Sequence, residues 1–504
     1  MEKKQIIAIV VVAIIVIGIG TGVGIFLLLP GGPVTNPYTY PGLGTEEKPL
    51  SSTIKFGLLD DMSWSGEGAW QGAFLAAKEI NEGGGVTIGG QTYWVGLVAE
   101  DTKEAAYDFD TATSAANTMV GHKPHVTFGG FRSEVFGVYH DIVMAAKLPF
   151  LITGTATEDW CKVRVGNFYN FYKYTFRLGP LNNKRMGVIM GNLVNSRLLN
   201  NITTHIKYPV ENITIVYENL MWTADVMGAF ITTVLNENPG ITMTTEPIPA
   251  GGLAYDYDAL WTRIAVSGTH LVIPIISDPA VGGQFGARYQ LYHPNALVAG
   301  INVLAQFDVY LEAVGTFGTY GVYGPMYEIT SHGYSYTNSS PNLLAFLEEY
   351  QAEWGEAPIY TTMNAYNAIN LIVEEMVDAD AILTSDQIVT ALEVYSNYTS
   401  YWEGVNQLIG FDQYHDILPQ DGSRAIGWGE NQFRQWQPLN LSNPNQQYFY
   451  SCPLIPGWHY GNETLGFFNS LTGPLSNTTY PLIGGKPIEA YKNALMFPHW
   501  WPAA

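Results

Sequence analysis

The chain has 504 residues, 47% of them hydrophobic, with 23 Lys and Arg against 45 Asp and Glu, a formal net charge of −22. Two or more domains are expected at this length, and the acid excess excludes a nucleic-acid-binding face, which needs clustered Lys and Arg against the phosphates. The two cysteines, Cys161 and Cys452, cannot make a zinc site, whose Cys and His ligands come in closely spaced pairs; in an oxidising location they are candidates for one long-range disulfide, and otherwise they are two buried thiols.

In chain order, the first element is a run of 24 positions without a charge, residues 6–29, behind Glu2, Lys3 and Lys4. About 20 apolar residues cross a bilayer, and Lys3 and Lys4 place the rest of the chain outside. The run exceeds the ~7–15 apolar residues of a signal-peptide core, so residues 1–30 read as an uncleaved transmembrane anchor, with a cleaved signal as the alternative. Gly18, Gly20, Gly22 and Gly24 lie inside this span and are not a dinucleotide fingerprint. Residues 31–52, rich in Pro and Gly, read as a tether. An outside location agrees with seven N-x-[ST] acceptor triplets, at Asn201, Asn212, Asn338, Asn397, Asn440, Asn462 and Asn477.

After the tether, strand-length apolar runs alternate with helical patterns. "IKFGLL", "TYWVGLVAE", "PHVTFGG" and "LPFLITG" are candidate strands, and Trp70, Ala73, Ala77 and Ile80 mark a helix face in the first crossover. The pattern restarts with strands "NITIVYE" from Asn212, "THLVIPII" from Thr269 and "NALVAGI" from Asn295, and with helices near 224–236 and 257–266. "PNLLAFLEEYQAEWG" and "MNAYNAINLIVEEMV" are strongly helical, and the remainder is Gly-, Pro-, Asn- and aromatic-rich. This order predicts an α/β chain of two doubly wound parallel-sheet lobes. Ligands of such sheets bind at the carboxyl ends of the strands. That rule singles out Ser63, Trp64 and Ser65 after the first strand, with Asp60 and Asp61 read as strand-end and turn acids, and Arg132 in "GGFRSE". It also singles out the loops "TGTATED", "ENLMW", "ISDPA" and "GINVL". No H-E-x-x-H, G-x-S-x-G or Walker A sequence occurs. His122 and His125 lack further ligands for a metal, and no catalytic residue, metal or cofactor is expected.

The ordered set "IKFGLLDDMSWSGEGAWQGAFLAAKEINEGGGVTIGGQ", "LVAEDTKEAAYDFDTATSAANTMV", "KLPFLITGTATED", "YKYTFRLGP", "APIYTTMNAYNAINLI" and "GFDQYHDILPQDG" resembles the type I periplasmic-binding-protein family. Within it the likeness is to the substrate-binding proteins of branched-chain amino acid and amide ABC transporters. It spans about Ile54 to Trp436. It implies two lobes joined by a three-strand hinge, lobe 1 at 53–177 and 332–404 and lobe 2 at 178–331 and 405–450, followed by a C-terminal extension at 451–504. It also implies a ligand cleft between the lobes that closes like a hinged clamp.

By motif position the resemblance makes Ser133 a carboxylate-binding hydroxyl, Thr155 a backbone contact and Thr157 a hydroxyl that holds the ligand amino group. Trp222 and Ser277 fall where aromatic or polar contacts lie. The amino-acid binders place an acid near Asn302, where a neutral amide supplies no charge for an ammonium; Asp278 is the substitute. Arg132, beside Ser133, suits a bidentate bond to a carboxylate. The expectation is therefore an anchored extracellular solute-binding protein, not an enzyme. It would deliver a small amino acid, amide or related carboxylate to an ABC permease. The alternatives are a sensory receptor module of the same fold, a surface enzyme, or a structural envelope glycoprotein.

Overall fold

The computed structural model describes residues 36–252, 254–292, 294–307, 310, 314, 328–332 and 342–419, with the strands 432–438 and 449–455. The anchor expected at 6–29 lies outside the described residues, as do Asn338, Asn440, Asn462 and Asn477. No helix among the described residues is long and apolar enough to cross a membrane. The chain divides into two compact units. The first holds the described residues up to Thr155, with Phe168–Leu178 and Asn364–Glu393. The second holds Ala156–Asn167, Gly179–Met363 and the described residues from Val394 onward. Residues 342–363 thus group with the second unit, where the expected boundary at 332 put them in the first.

The first unit is built on a six-stranded sheet in the order β2-β3-β1-β4-β5-β6. The strands are β1 (Thr53–Asp60), β2 (Val86–Ile88), β3 (Gln91–Asp101), β4 (Val126–Gly129), β5 (Phe150–Ile152) and β6 (Thr175–Arg177). All neighbours are parallel except the β2–β3 hairpin. β1 is central, and its side chains are buried on both faces except Lys55, which is why it reads as a continuous apolar run without alternation. The helices α1 (Ser65–Glu82), α2 (Phe109–His122), α3 (Ser133–Ala145) and α4 (Arg164–Tyr172) follow the strand ends. α1 lays Ala69, Ala73, Ala76 and Ala77 inward. α2 starts where Asp108 accepts the Thr111 amide at 2.9 Å, a side-chain cap for an otherwise unpaired donor. Residues 36–52 are not the free tether expected: Tyr38 and Tyr40 are buried, and Thr39 pairs both ways with Leu97 of β3 at 2.8 and 2.9 Å. Two large amphipathic rings beside the apolar edge of β3 outweigh the loop-forming Pro and Gly around them.

The second unit carries a seven-stranded sheet in the order β15-β14-β11-β10-β9-β7-β8. Its strands are β7 (Asn212–Glu218), β8 (Thr242–Ile248), β9 (Leu271–Ile276), β10 (Leu297–Asn302), β11 (Ile329–His332), β14 (Gln432–Pro438) and β15 (Phe449–Ile455). The five from β8 to β11 run parallel, and β14 and β15 are antiparallel additions. A separate hairpin pairs β12 (Trp402–Glu403) with β13 (Leu408–Ile409).

The helices of the second half are α5 (Asn183–Leu193), α6 (Leu199–Ile206), α7 (Met221–Glu237), α8 (Tyr257–Val266), α9 (Pro279–Tyr292), α10 (Asn342–Trp354), α11 (Tyr360–Asp378) and α12 (Ser385–Leu392). Under α8 and α9 the core centres on Trp261, whose ring lies 4.9 Å from Phe285 and 5.4 Å from Tyr289. Its indole N–H donates to the Phe285 carbonyl at 3.0 Å, so the polar edge of this buried ring is satisfied. Asn201 and Asn397 are exposed, and Asn212 is half-buried at the start of β7.

Candidate functional site

In the first unit the carboxyl ends of β1, β3, β4 and β5 converge on a set of loops whose backbone is held by acids. Asp60 is fully buried, and its Oδ1 accepts the Asp61 amide at 2.7 Å and the Ser65 hydroxyl at 2.5 Å. Asp61 accepts the Ser63 amide at 3.0 Å, the Ser63 hydroxyl at 2.5 Å and the Ala105 amide at 2.6 Å. Both acids therefore shape the first loop, which agrees with reading them as strand-end and turn acids. Ser63 is exposed, Trp64 half-buried and Ser65 buried.

The loop after β4 holds Arg132 and Ser133. Gly129 and Gly130 turn the chain there with φ of +121° and +82°, a region that residues with a Cβ seldom occupy. Arg132 is buried at the entry of α3, with its guanidinium 5.0 Å over the Tyr107 ring and Nη1 donating to the Tyr107 hydroxyl at 3.1 Å. Ser133 Oγ and Thr155 Oγ1 are 2.8 Å apart, so the expected carboxylate-binding hydroxyl meets the side chain of the residue expected as a backbone contact. Arg177, fully buried on β6, donates from Nη1 to the Thr155 carbonyl and fixes that loop from below. Beneath Arg132, Glu104 is fully buried and accepts the Phe131 amide at 3.0 Å, the Arg132 amide and the Tyr139 hydroxyl at 2.5 Å. Burial raises the Asp60 and Glu104 carboxyls above the usual range, and in Glu104 the bonds from Tyr139 and the two amides oppose the rise.

In the second unit Thr157 is buried just ahead of a short turn at Glu158–Trp160. Trp222 is buried near the start of α7, and its carbonyl accepts from Asn183 Nδ2 at 3.2 Å. Ser277 and Asp278 end β9 and lead into α9. Glu218 accepts the Ser277 amide, the Ser277 hydroxyl at 2.8 Å and the Asp278 amide at 3.1 Å. Asp278 Oδ1 caps α9 through the Ala280 and Val281 amides at 2.9 and 3.2 Å.

Asn302 is fully buried, with Nδ2 donating to Glu328 Oε1 at 2.9 Å and to the Tyr310 hydroxyl at 3.2 Å, and Tyr310 donates to the other Glu328 oxygen. Its amide is thus part of a buried polar cluster rather than displayed at a loop surface. Cys161 is buried with Sγ 3.6 Å from the His415 carbonyl, while the side chain of Cys452 lies outside the described residues. His122 pairs with Glu100 at 2.7 Å, and His125 Nδ1 accepts the Lys55 amide at 2.9 Å. No group of three or more ligating side chains that could hold a metal occurs among the described residues.

Tyr107, Glu104, Tyr139, Arg177, Glu218, Glu328 and Tyr310 were not expected at these sites. Glu218 opens the loop "ENLMW" and Arg177 lies in "YKYTFRLGP", but neither was named as a site residue.

Burial pushes the Glu328 carboxyl up to about 7, against the lowering effect of its bonds from Tyr310 and Asn302. A carboxyl raised in the folded chain keeps its proton where the unfolded chain has lost it. Its stabilising contribution is full below the ordinary value of 4.5 and is lost as pH rises through about 7. Asp60 and Glu104 act in the same direction and outweigh His125 and His270, whose imidazoles burial lowers and which act in the opposite one. The protein is therefore expected to melt higher at pH 5 than at pH 7.5, and Glu328→Gln, neutral at every pH, to flatten that slope. Calorimetry across this window checks it, and a melting temperature rising steadily from pH 5 to 7.5 would contradict it.

The periplasmic binding protein family model matches residues 53–420. No match is found among curated proteins. Among solved structures, the chain is similar to a solute-binding protein of an ABC transporter from Rhodopseudomonas palustris in complex with 3,4-dihydroxybenzoic acid. The identity is 16% and the TM-score 0.60, over 82% of this chain and 99% of that one. It is similar to a branched-chain amino acid transporter substrate-binding protein from Streptococcus pneumoniae in complex with isoleucine, at 18% identity and TM-score 0.59 over 80% and 99%. It is also similar to an R. palustris solute-binding protein in complex with benzoate, at 14% identity and TM-score 0.58 over 82% and 99%. At these identities the likeness shows the fold.

Proposed function

Because the chain belongs to the type I periplasmic binding protein family, we propose that it is the extracellular solute-binding subunit of an ABC importer and that its solute is a small organic carboxylate. The observation that carries the ligand class is Arg132, a buried guanidinium stacked on Tyr107 at the carboxyl end of β4, next to the paired hydroxyls of Ser133 and Thr155. A guanidinium fork with neighbouring hydroxyls matches a carboxylate in shape and charge. The three similar structures above hold dihydroxybenzoic acid, isoleucine and benzoate, which have a carboxyl group in common.

An ammonium on the solute is not required by this reading. Asn302 is a neutral amide whose Nδ2 donates to Glu328 and Tyr310, so it brings no charge for an ammonium, and Asp278 Oδ1 is engaged as a helix cap. Aromatic and aliphatic acids without an amino group are therefore the first candidates, with amino acids and amides next. The work of such a protein is a difference in solute affinity between its conformations, with no bond made or broken. In the same reading residues 6–29 hold the protein at the membrane beside its permease, with the described units outside.

A thermal-shift screen of the full chain against benzoates, aliphatic acids, amino acids, amides, sugars and nucleosides tests the proposal. A ligand that binds only the folded state adds about 2.7 kcal/mol at a hundred times its Kd. A carboxylate hit that fades when its carboxyl is esterified supports the reading. A hit confined to uncharged sugars or nucleosides contradicts it.

A further inference from the structure

We propose that Glu104 and Glu218 are positioning residues, each holding by its backbone, within its own unit, a loop that carries candidate solute-binding side chains; this rests on the solute-capture reading above. The two arrangements are alike although the residues lie in different sheets. Glu104 Oε2 accepts two successive amides, Phe131 and Arg132, immediately before α3. Glu218 Oε2 likewise accepts two successive amides, Ser277 and Asp278, immediately before α9. Both carboxylates are fully buried, and each also takes a hydroxyl, Tyr139 on Glu104 at 2.5 Å and Ser277 on Glu218 at 2.8 Å. Each reaches its loop from a different strand end: Glu104 follows β3 and reaches the loop after β4 across the end of β1, and Glu218 ends β7 and reaches the loop after β9.

Two features argue that this arrangement serves the loops. Arg132 stands at the N-cap position of α3 and makes no side-chain cap of its own, so the amides entering that helix are held by Glu104 instead. A buried carboxylate is also a poor source of net stability, because its desolvation offsets most of what its bonds contribute. What it supplies is direction. Two amides on one oxygen fix the peptide planes that lead into the Arg132, Ser277 and Asp278 side chains, and a contact residue must be held within about half an ångström to be useful. Glu104 and Glu218 act on solute binding only through the loop residues they hold.

The test uses the full chain, wild type, Glu104→Gln and Glu218→Gln, with benzoate and isoleucine as probes. Hydrogen exchange is read at the four amides, together with the amide proton shifts of Arg132 and Asp278, which lie downfield when bonded to a carboxylate. The expected result is exchange at least tenfold faster at 131–132 in Glu104→Gln and at 277–278 in Glu218→Gln. Those proton signals move upfield, exchange in β1 and β9 is unchanged, and the tighter probe binds at least tenfold more weakly. Unchanged loop exchange in the variants overturns the positioning roles, as does altered exchange with unaltered probe affinity. Should one variant fail to fold, the other decides the matter for its own loop. A wild type that binds neither probe counts against the carboxylate-capture reading, whereas the exchange data still accept or reject the backbone hold itself.

Discussion

Arg132→Ala is expected to weaken binding of the carboxylate solute by roughly 30-fold to several-thousand-fold, the equivalent of about 2–5 kcal/mol for removing one partner of a desolvated charge pair. The effect is large because the guanidinium is buried on Tyr107, whereas Lys103, the cation in the loop after β3, is exposed. Arg132→Lys is expected to recover only part of the loss, since an ammonium restores the charge but neither the fork nor the stacking over the ring. Titration calorimetry with the tightest compound from the screen measures both. If Arg132→Ala binds that compound as the wild type does, Arg132 is a support for Tyr107 and the carboxylate contact lies elsewhere.

The second large effect is on stability. At Gly129 the backbone has φ of +121°, and an added Cβ would stand 2.3 Å from the Leu59 carbonyl oxygen. The strain of that φ for a residue with a Cβ is about 1–3 kcal/mol. The overlap comes on top of it, and the atom met is the backbone of β1, paired to Gly129 in register. Gly129→Ala is therefore expected to cost about 3 kcal/mol or more and to lower the melting temperature by roughly 6 °C or more. Gly121→Ala is the control: it lies within α2, its Cβ would meet nothing within 4 Å, and it should stabilise by up to about 1 kcal/mol through helix propensity. A Gly129→Ala protein that melts with the wild type would mean that the turn carrying Arg132 relaxes at little cost.

How much of this was legible in the sequence depended on whether a signal was local. β7 falls on the residues quoted for it, and α8 occupies 257–266 as expected, because a buried parallel strand and an amphipathic helix write their burial into neighbouring positions. β8 was missed: six of its seven residues are exposed or half-buried, so it has almost no apolar run. The helices at 183–206 were missed because Asn and charged residues interrupt their buried stripe of Met186, Met190, Leu193, Leu198 and Ile202.

At the candidate site the loop residues Arg132, Ser133 and Thr155 could be proposed from their place after a strand. Glu104 and Glu218 could not. They bond to amides 28 and 59 residues away, and no spacing rule reaches that far. Asn302 was found by position, but its burial with Glu328 and Tyr310 depends on a residue 26 positions on, just ahead of the neighbouring strand β11, which no single segment reveals.

The edges of the two sheets have a consequence for how the protein behaves in company. A bare strand edge invites another chain to add its own strand. The first sheet ends in β2 and β6, each three residues long, too short to template such growth. The second sheet ends on one side in β8, which carries Pro247 and, beside it, Glu246 clasped by Arg263 at 2.7 Å. Proline offers no N–H to a newcomer, and an ion pair on the rim must be stripped of water before a strand can dock. These three rims let many copies crowd together without being sewn into one another's sheets.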